Sequence, residues 1–171
     1  MTSFKGDAMG RPLKRLPTVR WGELSDATGS AVELPALLSK LAWAGAGDAR
    51  DAIEELAGRV CALGFVLAEV TASVIPFLME LAEIPEANCR VEILELVAAI
   101  NSTRQWADAA AAAAPQYRSS YEEKISWEDS SRAAVEASRG TIESLARDPD
   151  PAVAAVARQL LDNLTDRPGR M

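Results

Sequence analysis

Two separate stretches of this chain repeat at almost one spacing. "LPALLSKL" (34–41) aligns with "IPFLMELA" (75–82) at an offset of 41, placing Pro35 on Pro76, Leu37 on Leu78 and Leu38 on Met79. "RDAIEELAGRV" (50–60) aligns with "RVEILELVAAI" (90–100) at an offset of 40, placing Arg50 on Arg90, Ile53 on Ile93, Glu55 on Glu95, Leu56 on Leu96 and Val60 on Ile100. A repeat of this length marks a supersecondary unit that cannot bury its apolar face alone and stacks on its neighbours.

Each unit reads as a helix pair. The first helix carries an early proline, a short polar turn follows ("AGAGD" at 44–48, "EIPEAN" at 83–88), and the second helix carries apolar residues at i, i+3 and i+7. Those residues, Ile53, Leu56, Val60 and Ile93, Leu96, Ile100, make the stripe of a helix with one buried face. Proline removes a backbone donor and clashes with the preceding turn. It is tolerated in a first turn, where the N–H has no partner anyway, or as a kink held by a packed neighbour. Pro35 and Pro76 are each expected in one of these two settings.

A third unit closes the chain. Ser126 with Asp129 three residues on predicts a helix start, and a helix from Trp127 to about Arg147. In "DPDPAVAAVARQLLDNL", Asp150 is the expected N-cap and Pro151 the first helical residue. Val153, Val156, Leu160 and Leu164 form its expected buried face, and "DRPGR" its end. An insertion at about 106–125 separates this unit from the second. Its "WADAAAAAAPQY" is expected to extend the preceding helix as far as Pro115, since alanine is the best helix former. "QYRSSYEEK" then reads as a polar connection.

Strand formers are scarce and alanine is abundant, so the expected fold class is all-α: a short α-solenoid of about three repeats, at about 30–64, 70–105 and 126–165. One domain over 21–171 follows a basic, flexible segment over 1–20. That segment holds Lys5, Arg11, Lys14, Arg15 and Arg20 against Asp7, a charge of +4. The whole chain carries −7, so the body carries −11. An acidic body repels nucleic-acid phosphates and attracts basic proteins.

Val60 to Met79 is long enough to span a bilayer, but Glu69 sits at its centre and Gly64 and Pro76 interrupt it. Two buried helices joined by a turn near 64–69 are expected instead. The first twenty residues hold no continuous apolar core, so no secretory signal is expected. Cys61 and Cys89 are expected to be reduced core thiols of a cytoplasmic protein.

Several chemistries lack their residues. The chain has no histidine, which removes Ser-His and Cys-His nucleophile activation and, with two cysteines, any zinc site. "AGAG" at 44–47 follows a helix and lacks the spacing of a phosphate loop. Acids at helical spacing (Asp51 with Glu54 and Glu55, Glu92 with Glu95) are usual on solvated faces. No cofactor, no metal and no catalysis are expected.

The period near 40, the early proline and "DPDPAVAAVARQLL" resemble HEAT repeats over about 20–165. Over about 20–100, Trp21, "GSAVELPALLSKL" (29–41), "ARDAIEEL" (49–56) and "TASVIPFLMEL" (71–81) are similar to small bacterial, often actinobacterial, HEAT-repeat proteins. That group often carries a His-Gln-Gly-Thr-like link, where this chain has "ALGFVLAEV" (62–70). The resemblance implies a solenoid whose second helices line a binding face. Glu55 and Glu95 occupy equivalent positions there, and Asp51, Glu54 and Glu92 extend the acidic strip. Trp106, Tyr117 and Tyr121 are interface-anchoring residue types nearby in sequence. The expected function is therefore binding of a basic protein, in concrete form an immunity protein that covers the cationic site of a bacterial toxin. A self-associating adaptor or scaffold is the alternative.

Overall fold

Leucines at 34, 37, 38 and 41 share one face of a helix, and all four are buried in α1, which spans Leu34–Trp43. Helix α2 (Ala46–Val60) buries Ala49, Ala52, Ile53, Leu56 and Val60. Helix α4 (Arg90–Ser102) follows the same plan, whereas α3 (Thr71–Ala82) is buried on most of its surface. The stripe expected in both second helices, Ile53, Leu56, Val60 and Ile93, Leu96, Ile100, is buried throughout.

The computed structural model describes residues 13–165. The chain is all-α, completed by α5 (Gln105–Ala112), α6 (Glu122–Ala137), α7 (Arg139–Leu145) and α8 (Pro151–Thr165). Among the described residues, the β-structure is two antiparallel hairpins with two-residue strands. β1 (Ser25–Asp26) pairs with β2 (Gly29–Ser30), and β3 (Cys61–Ala62) with β4 (Val66–Leu67). Helix α1 packs on α2, α3 on α4 and α7 on α8. Between these pairs α1 meets α3, α2 meets α4, α3 meets α6, and α4 meets both α6 and α8.

The two prolines occupy different settings. Pro35 lies in the first turn of α1, while Pro76 is exposed inside α3. Two aligned arginines behave alike. Arg50 pairs with Glu92 of the next helix pair at 3.7 Å, and Arg90 pairs with Asp148, ahead of α8, at 2.6 Å. Arg90 also donates to the Ala82 carbonyl at the end of α3.

Val60 to Met79 divides as the central charge requires. Helix α2 stops at Val60, the β3–β4 hairpin turns at 63–65, and α3 begins at Thr71. The Thr71 hydroxyl fastens this corner, donating to the Val60 carbonyl and accepting from the Ala68 N–H. Glu69 accepts from the Ser25 N–H and hydroxyl. Among the described residues no helix is long and apolar enough to cross a membrane.

Two expectations are corrected. The alanine-rich stretch does not extend the preceding helix: α4 ends at Ser102 and α5 is a new helix. Thr103 is extended there, its hydroxyl donating to the Phe65 carbonyl and its own carbonyl accepting from Arg132, so two distant elements hold the chain at the break. Nor does Ser126 start a helix. Helix α6 begins at Glu122, directly after a 3-10 turn over Pro115–Tyr121, with Glu122 and Glu123 in its first turn. Ser126 lies inside it, bonded back to the Glu123 carbonyl. The helix breaks at Ser138, short of the expected end. Asp150 does cap α8, accepting the Ala152 N–H at 2.9 Å.

The basic segment expected over 1–20 lies partly outside the described residues. In its described part, Leu13 is buried and its N–H donates to Glu80 of α3. The "DRPGR" sequence also lies outside the described residues.

Candidate partner-binding cleft

Residues 53, 54, 57, 58 and 61 follow one another along a single face of α2 and its end, and residues 92, 95, 96 and 99 along a face of α4. Three of them are small: Ala57, Gly58 and Ala99. Where these two faces meet they leave an open cleft of about 380 Å³. Ile53, Cys61 and Leu96 form its buried lining, and Leu63 and Gly64 of the β3–β4 turn close one side. Burial pushes the Cys61 thiol up to about 11, so it lines the cleft as a protonated apolar group.

Glu54, Glu92 and Glu95 border this apolar lining. Glu92 is half-buried and pairs with Arg50. Glu54 and Glu95 are exposed, and among the described residues neither has a cationic partner. The other proposed site residues do not line the cleft. Asp51 is exposed on α2. Glu55 accepts two bonds from Arg59, at 2.8 and 3.1 Å. Arg59 also donates to Asp26 and to the Thr28 hydroxyl, each at 3.1 Å. Burial opposes ionisation of Asp26, but bonds from Thr28 and Arg59 outweigh it and hold its pKa below the usual carboxylate value. Glu55 therefore belongs to a clamp that fixes the β1–β2 hairpin to α2.

The aromatic residues serve the corner between α5 and α6. Trp106 is half-buried, and its indole N–H donates to the Leu67 carbonyl at 3.0 Å. The Lys124 ammonium sits 4.4 Å from the Trp106 ring centre, and the Tyr121 ring packs 6.3 Å away. Tyr117 is exposed on the 3-10 turn. The sequence marked Gly64 only as part of a turn, and Leu63 was passed over. The available signal was a Leu-Gly pair between apolar runs, because glycine at a hairpin turn places its neighbour at the tip.

Among the described residues no cluster of three or more Cys, Asp or Glu could hold a metal ion. No family model matches the chain, and no curated protein or solved structure matches it.

Proposed function

We propose that this chain is a non-catalytic protein-binding module that receives a basic protein on its α2–α4 face. The observation that carries this reading is the cleft itself, where apolar lining meets two carboxylates that have no cationic partner among the described residues, Glu54 and Glu95. Apolar lining supplies burial, and the surrounding acids supply attraction and orientation. The acidic balance of the chain adds a long-range field that speeds encounter with a cationic partner. In concrete form the partner is a basic toxin, such as a nuclease, and the chain is an immunity protein that covers its cationic surface.

A HEAT-like α-solenoid is the fold reading that goes with this function. It is supported by the order of packing, in which α1 and α2 contact α3 and α4, which contact α6 and α8. The aligned arginines, each reaching an acid beyond its own helix pair, support it too.

The test compares immobilised wild-type chain with an E54K/E95K variant, in extract from the source cell, at low and physiological salt. A basic protein held by the wild type, released by salt and lost on the variant supports the reading. The same proteins on both, or only neutral and acidic ones, overturn it. A self-associating scaffold is the second reading, favoured by Trp43, which ends α1 with 66% of its surface exposed. Sedimentation decides it: a wild-type dimer that W43S makes monomeric.

A further inference from the structure

We infer that the α2–α4 cleft is a socket for an apolar side chain carried on a basic segment of a partner protein, with Leu63 as its lip. The inference rests on the proposed binding face and specifies what that face recognises.

Leu63 stands in the left-handed region at φ 58°, a conformation that favours Gly, Asn or Asp and strains leucine. Two other described non-glycine residues share positive φ, Leu13 and Cys89. Leu13 is buried, and Cys89 is partly buried at the start of α4, so packing offsets their strain. Leu63 is 83% exposed. Neither backbone preference nor burial accounts for a leucine there, and strain of this kind collects where a protein makes contact.

The neighbourhood supports the same reading. Gly58 lies inside α2 with nothing near the position of a side chain, so alanine would fit and favour the helix. Glycine leaves that part of the cleft wall without a side chain. The hairpin that carries Leu63 is fixed at two points, by the Thr103 hydroxyl on the Phe65 carbonyl and by the Trp106 indole on the Leu67 carbonyl. The lip is thus held in place before any partner arrives, which reduces the ordering needed on binding. Glu54 and Glu95 beside the lining select positive charge next to the anchor. A second copy of this chain would set its own acidic body against them.

The experiment measures fluorescence anisotropy with three labelled helical peptides of equal length: Lys/Leu, Lys/Ser of the same charge, and Gln/Leu without charge. Wild type should bind the Lys/Leu peptide at least about tenfold more tightly than either other. Leu63→Asn, which suits the backbone, and Gly58→Leu, which fills the cleft, should remove that preference. Both variants should melt no lower than wild type. Equal binding of the two lysine peptides overturns the socket but leaves the acidic face standing. Loss of binding to every cationic peptide overturns both, and preference for Gln/Leu overturns the basic partner. A melting temperature lowered by Leu63→Asn would assign the leucine to the fold and overturn its role as lip.

Discussion

Glu128 caps a helix to which it does not belong: from inside α6, its Oε2 accepts the backbone N–H of Trp106 at 2.7 Å in the first turn of α5. Its Oε1 takes the N–H of Ala107 at 3.2 Å. The first N–H groups of a helix have no partner within it, and its N-terminus carries partial positive charge. A carboxylate supplied from another helix satisfies both needs, and the Glu128 side chain is fully enclosed. Glu128→Ala should cost about 2–3 kcal/mol by leaving two donors unpaired, and Glu128→Gln about 1 kcal/mol. Urea unfolding measures the loss. Hydrogen exchange at Trp106 and Ala107 should show α5 opening first, and unchanged exchange in Glu128→Ala would refute the cap.

Two aligned arginines should differ sharply in worth. Arg90 is 8% exposed and satisfies both Asp148 and the last turn of α3, so Arg90→Ala takes the cation from a part-buried acid and the donor from a carbonyl. That should cost about 3 kcal/mol. The Arg50–Glu92 pair is longer and largely solvated, so Arg50→Ala should cost under about 1 kcal/mol. Similar losses in a chemical denaturation series would contradict this.

The aligned prolines should differ in sign. Pro76 denies the interior of α3 a hydrogen bond on an exposed face. Pro76→Ala should therefore raise stability by about 1–2 kcal/mol, after allowing for a more flexible unfolded chain. Pro35 removes no helical bond in the first turn of α1, so Pro35→Ala should lower stability by about 0.5–1 kcal/mol. Calorimetric melting of both variants checks the contrast.

Stability should be flat through neutral pH and fall in acid. With no histidine, no side chain with an ordinary pKa changes charge between about pH 5 and 8. Asp148 is held below the usual carboxylate value by its bonds from Arg90 and the Asp150 N–H, and Asp26 is likewise low. Both carboxyls bind a proton less readily folded than unfolded. Their stabilisation is therefore complete above the unfolded pKa of about 3.9 and is lost as pH falls through the folded value. Asp148→Asn should lower neutral stability and give a shallower acid limb by circular dichroism. An unchanged limb would count against the ion pair.

The buried faces of α2 and α4 were legible because they depend on a local period, and Ile53, Leu56 and Val60 declare theirs without outside help. The capped start of α8 was legible for the same reason, since Asp150 and Pro151 act on the residues beside them. The break before α5 was not. It depends on Thr103 meeting Phe65 and Arg132, residues far away in the chain, and alanine propensity hides it. The acidic strip was legible as composition but not as a surface. Glu54 and Glu55 are neighbours, yet one borders the cleft and the other is held by Arg59. Helical geometry separates them by about 100°, but only tertiary packing decides which side meets a cleft.

As the lip of the proposed socket, Leu63 would set endurance against recognition. A laboratory screen that rewarded heat resistance alone would exchange that leucine early for asparagine or glycine. The survivors would be tougher proteins that had lost their grip.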